Sequence, residues 1–323
     1  MSTPKIFITR KWPASVEVKL AALYDVTLNT TDQPLSAEEF KSALQNYDVV
    51  CPTVCDSFPA EVINVPHKRC KILGNFGVGY NHIDINAAKQ QGIIVTNTPG
   101  VLTESTADIA MTLLLMSARR GAEGDRIIRA KKWQGWCPTH MLSTDVTGAT
   151  LGLIGFGRIA QAMARKAHHG FGMHIRYYNP SPVNPDVLAD LNAVRCDSLE
   201  ALMGSADFIS LHCPGGAETR HLINAVRLGL MKPSAHLINT ARGDVVDSEA
   251  LINALSNKQI AGAGLDVYEG EPNIHPGFLE LDNVTLLPHL GSATLNTRTA
   301  MGEKVLANLA AFFEGIEPPD RVA

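Results

Sequence analysis

A glycine pattern in the middle of the chain constrains the fold most. The segment GLIGFGRIA (152–160) joins the strand-like run TLGLI to a stretch with helical spacing. In such a turn, Gly155 permits the tight bend and Gly157 lets backbone approach a pyrophosphate. Ala160 takes the helix-packing position, and Arg158 adds charge at the helix amino end, where phosphate binds. Alone, the pattern also fits an ordinary glycine turn; the flanking strand and helix favour a dinucleotide site.

Strands and helices alternate before this turn. The strand-like runs are KIFIT, VTLN, DVVCPTV, KILGNF and IIVTN, and the helical runs are SVEVKLAALY, SAEEFKSALQNY and INAAKQQG. Ser36, followed three residues later by Glu39, is a capping-box start for the second helix. Alternating strands and helices predict a parallel sheet covered on both faces. Residues 1–100 therefore form a domain of their own.

A second series begins at the glycine turn. Its strands are TLGLIGF, HIRYYN, DFISLH, HLINTA, AGAGLDV and VTLLPH. A mostly apolar helix at 103–120 precedes it, and the helix in TRTAMGEKVLANLAAFFEG follows it with no further strand. We therefore predict an α/β protein with two doubly wound parallel-sheet domains. A Rossmann cofactor domain (101–292) is inserted in a flavodoxin-like substrate domain (1–100 plus 293–323).

Composition narrows the function classes. The 323 residues carry a net charge of −4, which gives no general reason to bind nucleic acid or an acidic membrane. Six cysteines are too sparse for a disulfide framework, and Cys51 with Cys55 has no second pair to complete a zinc site. The start MSTPKIFITR lacks a signal-peptide pattern, and polar residues interrupt the longest apolar helix. We expect reduced thiols and a cytoplasmic protein.

The expected ribose-binding acid is missing. Dinucleotide sites for NAD usually place a carboxylate about 20 residues after the glycine turn, but the sequence there is HIRYYNPSP and the position is Asn179. Without this carboxylate, the site lacks the main feature that excludes NADP. Pro180 and Ser181 follow where an NADP site usually has an arginine. Neutral hydrogen-bond donors of Asn179 and Ser181 would therefore bind the 2′-phosphate. We predict that NADP(H) is favoured and that NAD(H) is also accepted.

Three ionisable side chains each follow a predicted strand of the second series. They are Arg242 in NTARGDVVD, Glu271 in LDVYEGEP and His289 in LLPHLGSAT. Open α/β sheets bind ligands at the carboxyl ends of their strands, which makes all three candidates for chemistry. Singly, each has an ordinary alternative: a surface ion pair for the arginine, a solvated loop acid for the glutamate, and a packing residue for the histidine.

Together, the motifs resemble one family. FGVGYNHID, GLIGFGRIA, NTARGDVVD, GEP and PHLGSAT, in this order, are similar to the D-isomer-specific 2-hydroxyacid dehydrogenases. The resemblance covers essentially the entire chain and is nearest to the glycerate dehydrogenase and glyoxylate/hydroxypyruvate reductase branch, which WQGWCP and GEPNI support. It implies an oxidoreductase that reduces glyoxylate or hydroxypyruvate to glycolate or D-glycerate by hydride transfer from NAD(P)H.

The resemblance also assigns roles to the three residues. His289 would be the general acid and base, since an imidazole titrates near working pH. Glu271 would bond the other ring nitrogen, and so favour and orient the imidazolium. Arg242 would hold the substrate carboxylate and polarise the carbonyl.

Further site residues come from the same resemblance. Backbone N–H groups of Val78 and Gly79, in a first domain that closes over the second, would bind the substrate carboxylate. Trp136 would reach the substrate pocket of a partner subunit in a homodimer, with core packing as its alternative, and Asp266 would contact the nicotinamide amide. The remaining residues expected to line the cofactor groove are Thr106, Ile159, Pro214, Thr219, Thr240, Ala241 and Ser292.

Three rival functions remain open. A dinucleotide-sensing corepressor shares the fold and the same three residues, although we expect no long tail for partner recruitment, because the chain ends soon after its last helix. A phosphoglycerate dehydrogenase is a second rival, but its common long forms carry a regulatory domain after the last helix, and we expect none here. Formate or phosphite oxidation fits the branch motifs less well.

Overall fold

The computed structural model describes residues 3–323. The chain divides into two compact units, Met1–Leu102 with Ala293–Ala323 and Thr103–Ser292, which we call unit 1 and unit 2. The two pieces of unit 1 flank unit 2 in the sequence, so unit 2 is an insertion. Each unit is built on a parallel sheet. The predicted α/β fold class with two parallel-sheet domains is confirmed.

Unit 1 contains a five-stranded sheet in the order β2-β1-β3-β4-β5. Its strands are β1 (Lys5–Ile8), β2 (Asp25–Leu28), β3 (Val49–Cys51), β4 (Ile72–Gly74) and β5 (Ile94–Thr96). Its helices are α1 (Ala14–Leu23), α2 (Ala37–Asn46), α3 (Ala60–Ile63), α4 (Ile85–Gln90) and, last in the chain, α13 (Leu295–Phe313).

Two apolar clusters bury the two faces of this sheet. One contains Phe40 and Phe58, and the other contains Ile6 and Leu20. The strands are short and wholly apolar at their centres, as expected where helices cover both faces. The predicted capping box at Ser36 is present and fixes the start of α2.

Unit 2 contains a seven-stranded sheet in the order β12-β11-β10-β9-β6-β7-β8. Its strands are β6 (Thr150–Ile154), β7 (His174–Tyr178), β8 (Val194–Arg195), β9 (Phe208–Leu211), β10 (His236–Asn239), β11 (Gly262–Leu265) and β12 (Val284–Leu286). Its helices are α5 (Thr103–Ala118), α6 (Gly121–Arg129), α7 (Arg158–Phe171), α8 (Pro185–Asp190), α9 (Leu199–Ser205), α10 (Ala225–Leu228), α11 (Ser248–Ser256) and α12 (Pro276–Leu279), with a 3₁₀ turn at Gly243–Val245.

The strand order places a ligand crevice in unit 2. The chain leaves β6 in one direction to form β7 and β8, and returns to its other side to form β9, β10, β11 and β12. Such a reversal opens a crevice at the carboxyl ends of the central strands, where open α/β sheets bind ligands. The glycine turn follows β6, so it lies at this crevice.

Local details differ from the sequence-based expectation. The long apolar helix α5 ends at Ala118 rather than at residue 120, because Arg120 adopts a left-handed conformation (φ 53°) that starts α6. Helix α6 was not predicted, since it buries none of its side chains and its pattern is mostly polar. In residues 3–323, no helix combines the length and apolar composition needed to cross a bilayer.

Candidate active site

The turn after β10 presents Arg242. The amide of the buried Asn239 shapes this turn: its Oδ1 accepts from the Ala241 N–H at 3.0 Å, and its Nδ2 donates to the Arg242 carbonyl at 2.9 Å. The arginine side chain lies against Gly215 in the loop after β9, where a Cβ would come within 2.8 Å of the Arg242 Cγ. The loops after β9 and β10 therefore place the guanidinium at the edge of the sheet.

Gly243 brings two loops into contact. A Cβ at this position would lie 1.8 Å from the carbonyl carbon of Tyr268, in the loop after β11. Only glycine permits so close an approach of backbone to backbone. The Arg-Gly pair therefore carries the charged side chain and also provides the contact with the loop that contains Glu271.

Glu271 and His289 form a hydrogen-bonded pair. The His289 Nδ1 lies 2.8 Å from the Glu271 Oε2, and the other carboxylate oxygen accepts from the Tyr268 N–H at 2.8 Å. The side chains are 32% and 26% exposed, respectively. Glu271 is thus not a solvated loop acid, and His289 is not a core packing residue.

The charge state of Glu271 follows from these contacts. Burial acts to raise its pKa, but the hydrogen bond and charge of His289, the Tyr268 N–H and the charge of Arg242 outweigh burial and lower that pKa below its ordinary value. The carboxylate is therefore ionised at neutral pH.

Asp266 holds the turn that carries His289. The Asp266 side chain is 1% exposed, and its oxygens accept from the Leu290 N–H at 2.6 Å and the Gly291 N–H at 2.8 Å. Burial raises the pKa of Asp266, and these N–H groups oppose the shift. His289 itself has φ 55°, a left-handed backbone that is uncommon outside glycine. The buried carboxylate stabilises this strained turn.

The glycine turn after β6 has the shape that its sequence predicts. Gly155 has φ 83°, and a Cβ there would lie 2.9 Å from the backbone of the loop after β9. Gly157, which caps α7, faces open space within 4 Å. Ala160 is fully buried against the sheet side of the helix. Arg158 is exposed in the first turn of α7, and Ile159 is half-buried beside it.

The carboxyl end of β7 is joined to this turn by Asn179. Its Oδ1 accepts from the Phe156 N–H at 3.1 Å, and its Nδ2 donates to the Ser181 carbonyl at 2.8 Å. Ser181 is exposed. The amide therefore fixes the loop that follows β7 and keeps a neutral group where NAD sites usually carry an acid.

The residues of this crevice fit a bound dinucleotide. Gly157 leaves space where backbone would meet a pyrophosphate, and the helix end supplies unpaired N–H groups for its charge. Within residues 3–323, the Thr240 hydroxyl at the end of β10 is buried without a hydrogen-bond partner, as expected of a group that bonds a ligand. Thr219 donates to the Pro214 carbonyl at 2.7 Å and so shapes the neighbouring loop.

One family model matches residues 111–291, more than half of the chain, and describes the NAD-binding domain of D-isomer-specific 2-hydroxyacid dehydrogenases. The chain belongs to this family. Among curated relatives, glyoxylate reductase from Thermococcus onnurineus is 44% identical and aligns over 99% of this chain and 96% of its own. Glycerate dehydrogenase from Hyphomicrobium methylovorum is 37% identical over 98% of both chains. The assignment as a dehydrogenase of the glyoxylate and glycerate branch is thereby confirmed.

Solved structures of similar proteins support the same family assignment. A D-isomer-specific 2-hydroxyacid dehydrogenase from Polaromonas has a TM-score of 0.92 at 36% identity and covers 100% of both chains. An NADPH-dependent glyoxylate/hydroxypyruvate reductase from Sinorhizobium meliloti, solved with NADP and malonate, has a TM-score of 0.87 at 35% identity. It covers 100% of this chain and 97% of its own.

In unit 1 of this dehydrogenase, side-chain amides shape the predicted substrate turn. The Asn75 Nδ2 donates to the carbonyls of Gly77 at 3.0 Å and Gly79 at 3.1 Å. The Asn97 Nδ2 donates to the Val78 carbonyl at 2.8 Å. Three successive carbonyls are therefore fixed by two asparagines, which sequence reasoning did not single out.

The segment that contains Trp136 is exposed. Trp136 is 82% exposed, and Trp133 and Leu142 in the same segment are also exposed. Core packing, the alternative reading of this tryptophan, is therefore wrong.

Sequence reasoning also missed what Asp266 does within its own unit. Its carboxylate is committed to the turn at residues 290–291, and the Thr106 hydroxyl donates to the Gly291 carbonyl of the same turn at 3.2 Å. The available signal was an aspartate at the end of the buried strand AGAGLD, since such a carboxylate must find donors. Ala241 and Ser292 lie in the turns beside Arg242 and His289.

Proposed function

We propose that this dehydrogenase reduces glyoxylate or hydroxypyruvate to the corresponding D-2-hydroxy acid with NAD(P)H. The observation that carries the proposal is the Glu271–His289 pair at the sheet edge that also carries the dinucleotide turn. Names of the relatives support the substrate class: glyoxylate reductase, glycerate dehydrogenase and glyoxylate/hydroxypyruvate reductase. A bound nicotinamide supplies the hydride.

His289 is the proton donor in this proposal. Its Nδ1 is bonded to Glu271, so Nε2 is the nitrogen left to deliver a proton to the carbonyl oxygen of the substrate. The carboxylate fixes the orientation of the ring. Asp266 positions the same imidazole through the backbone of its turn.

Arg242 binds the substrate carboxylate in this proposal. Its planar fork matches a carboxylate in two hydrogen bonds, and its positive charge favours negative charge on the reacting oxygen. On unit 1, the N–H groups of Val78 and Gly79 supply further donors for the carboxylate, and Asn75 and Asn97 hold that turn in shape.

We propose that NADPH is the preferred cofactor and that NADH is also used. The amide of Asn179 does not repel a 2′-phosphate as a carboxylate would. The residues that would hold the cofactor are Thr106, Gly155, Gly157, Arg158, Ile159, Asn179, Ser181, Pro214, Thr219, Thr240, Ala241, Asp266 and Ser292. Unit 2 is then the cofactor domain and unit 1 the substrate domain.

We also propose a cytoplasmic homodimer. Large apolar side chains in the segment at 133–142 are exposed, and burying them against a second copy would remove that surface from water. Trp136 would then reach the substrate pocket of the partner. Light scattering tests the assembly: a mass of one chain in solution contradicts it.

The activity is tested by steady-state kinetics. Glyoxylate, hydroxypyruvate, pyruvate and phenylpyruvate are each assayed with NADPH and with NADH. We expect the highest kcat/KM for glyoxylate or hydroxypyruvate with NADPH. Cofactor binding without turnover of any of the four acids would instead favour a dinucleotide-sensing corepressor. A strong preference for NADH would overturn the cofactor choice alone.

A further inference from the structure

An arginine distant in sequence lies at the carboxyl end of β7. Arg195 is the last residue of β8 and pairs with Tyr177 in the parallel ladder. Its Nη2 donates to the carbonyl of Asn179 at 3.1 Å. The guanidinium is therefore held beside the residue that replaces the usual ribose-binding acid, although 16 positions separate the two in the sequence.

This placement changes the expectation drawn from HIRYYNPSP. In the sequence, Pro180 and Ser181 follow Asn179, so no arginine was expected near the ribose. In the structure, the neighbouring strand β8 supplies an arginine, Arg195. Arg195 is exposed, and the hydrogen bond that the structure gives it uses one of its five N–H donors.

Local bonds fix the position of this guanidinium. Asn179 is held on one side by the Phe156 N–H of the glycine turn and on the other by the Ser181 carbonyl. The carbonyl that accepts from Arg195 thus belongs to a residue anchored to the dinucleotide turn itself. This bond holds the exposed Arg195 guanidinium at the carboxyl end of β7, next to Asn179.

We propose that Arg195 binds the 2′-phosphate of NADPH and thereby determines the cofactor preference; this rests on the preference for NADPH proposed above. The absence of a carboxylate at position 179 avoids repulsion of the 2′-phosphate but does not itself create affinity for it. A guanidinium supplies that affinity, because its fork forms two charge-assisted hydrogen bonds with phosphate oxygens. The bond to Asn179 reduces the side-chain entropy lost on binding.

The test uses ligands that isolate the 2′-phosphate. Dissociation constants for adenosine 2′,5′-bisphosphate and 5′-AMP are measured by calorimetry on the full-length protein. The variant Arg195→Gln removes the charge and keeps an amide. The matched control is Arg176→Gln, which removes an exposed charge from the adjacent strand β7. Thermal unfolding of each variant checks that the fold is retained.

We expect Arg195→Gln to weaken binding of the bisphosphate about tenfold, the loss typical of a charge-assisted hydrogen bond in a partly exposed site. Binding of 5′-AMP should stay within about twofold, and Arg176→Gln should change neither ligand. Higher salt should narrow the difference between wild type and the Arg195 variant, since exposed charges are screened.

Three results would overturn the inference, and they have different meanings. If wild type prefers the bisphosphate and Arg195→Gln keeps that preference, another residue binds the phosphate, and the cofactor proposal stands. If wild type binds both ligands equally, the preference for NADPH fails and the role of Arg195 fails with it. An equal loss of both ligands in the variant shows a merely structural arginine.

Discussion

Replacement of Glu271 by glutamine removes one charge from a well-defined pair. At the 2.8 Å separation of the His289 Nδ1 and the Glu271 Oε2, Coulomb's law with an effective dielectric constant of about 20 gives an attraction of about 6 kcal/mol. Solvent reduces this value, because the two side chains are 32% and 26% exposed. A hydrogen bond to a charged group contributes about 1.5–3 kcal/mol, and partial exposure favours the lower half of that range.

The expected result is a lower rate of turnover. Glu271 holds the ring of His289 in place, and a neutral glutamine holds it by a weaker hydrogen bond. We therefore expect kcat/KM for glyoxylate to fall about tenfold, which corresponds to about 1.4 kcal/mol. The dissociation constant of NADPH should stay within about twofold.

Glu269→Gln is the matched control. Glu269 lies in the same loop but pairs with Arg220 and His221 rather than with His289. The control should leave kcat/KM unchanged. An unchanged kcat/KM in Glu271→Gln, or the same loss in both variants, would refute the role of Glu271. The assay is NADPH oxidation with glyoxylate at constant ionic strength.

The other predictions concern turns and side-chain amides. Gly243→Ala should lower the free energy of unfolding by about 3 kcal/mol or more in urea titrations, since its Cβ overlaps backbone. Gly155→Ala should lower the melting temperature, whereas Gly157→Ala should leave it unchanged and weaken NADPH binding about tenfold. Asn179→Asp should shift the ratio of kcat/KM values towards NADH. Asn75→Ala should raise the KM for glyoxylate about tenfold with unchanged affinity for NADPH. For each variant, a wild-type value of the property that is expected to change would contradict the role given to that residue.

The architecture was predictable because it depends on local patterns. Apolar runs alternating with helical segments specify a parallel α/β sheet, and the positive φ of Gly155 follows from the sharp turn that the GxGxxA pattern requires. The candidate catalytic side chains were also accessible to sequence reasoning. Each of Arg242, Glu271 and His289 follows a strand, and the carboxyl ends of parallel strands meet at one edge.

The supporting contacts could not be predicted in the same way. The bonds of Asp266 to the turn at 290–291 join positions 24 and 25 residues apart, and no local pattern encodes them. Arg195 approaches Asn179 only because the two-residue strand β8 pairs with β7. Helix α6 is nine residues long and mostly polar, and none of its side chains is buried, so it was not recognised as a separate element.

Single-turnover reduction of glyoxylate by the NADPH-loaded enzyme tests the proton-donor role of His289. His289→Asn is the suitable variant, because asparagine adopts the left-handed backbone (φ 55°) of this position more readily than most residues. We expect a rate about 10²–10⁴ times lower than wild type, with the dissociation constant of NADPH within about twofold. A variant that reduces glyoxylate at the wild-type rate would contradict it.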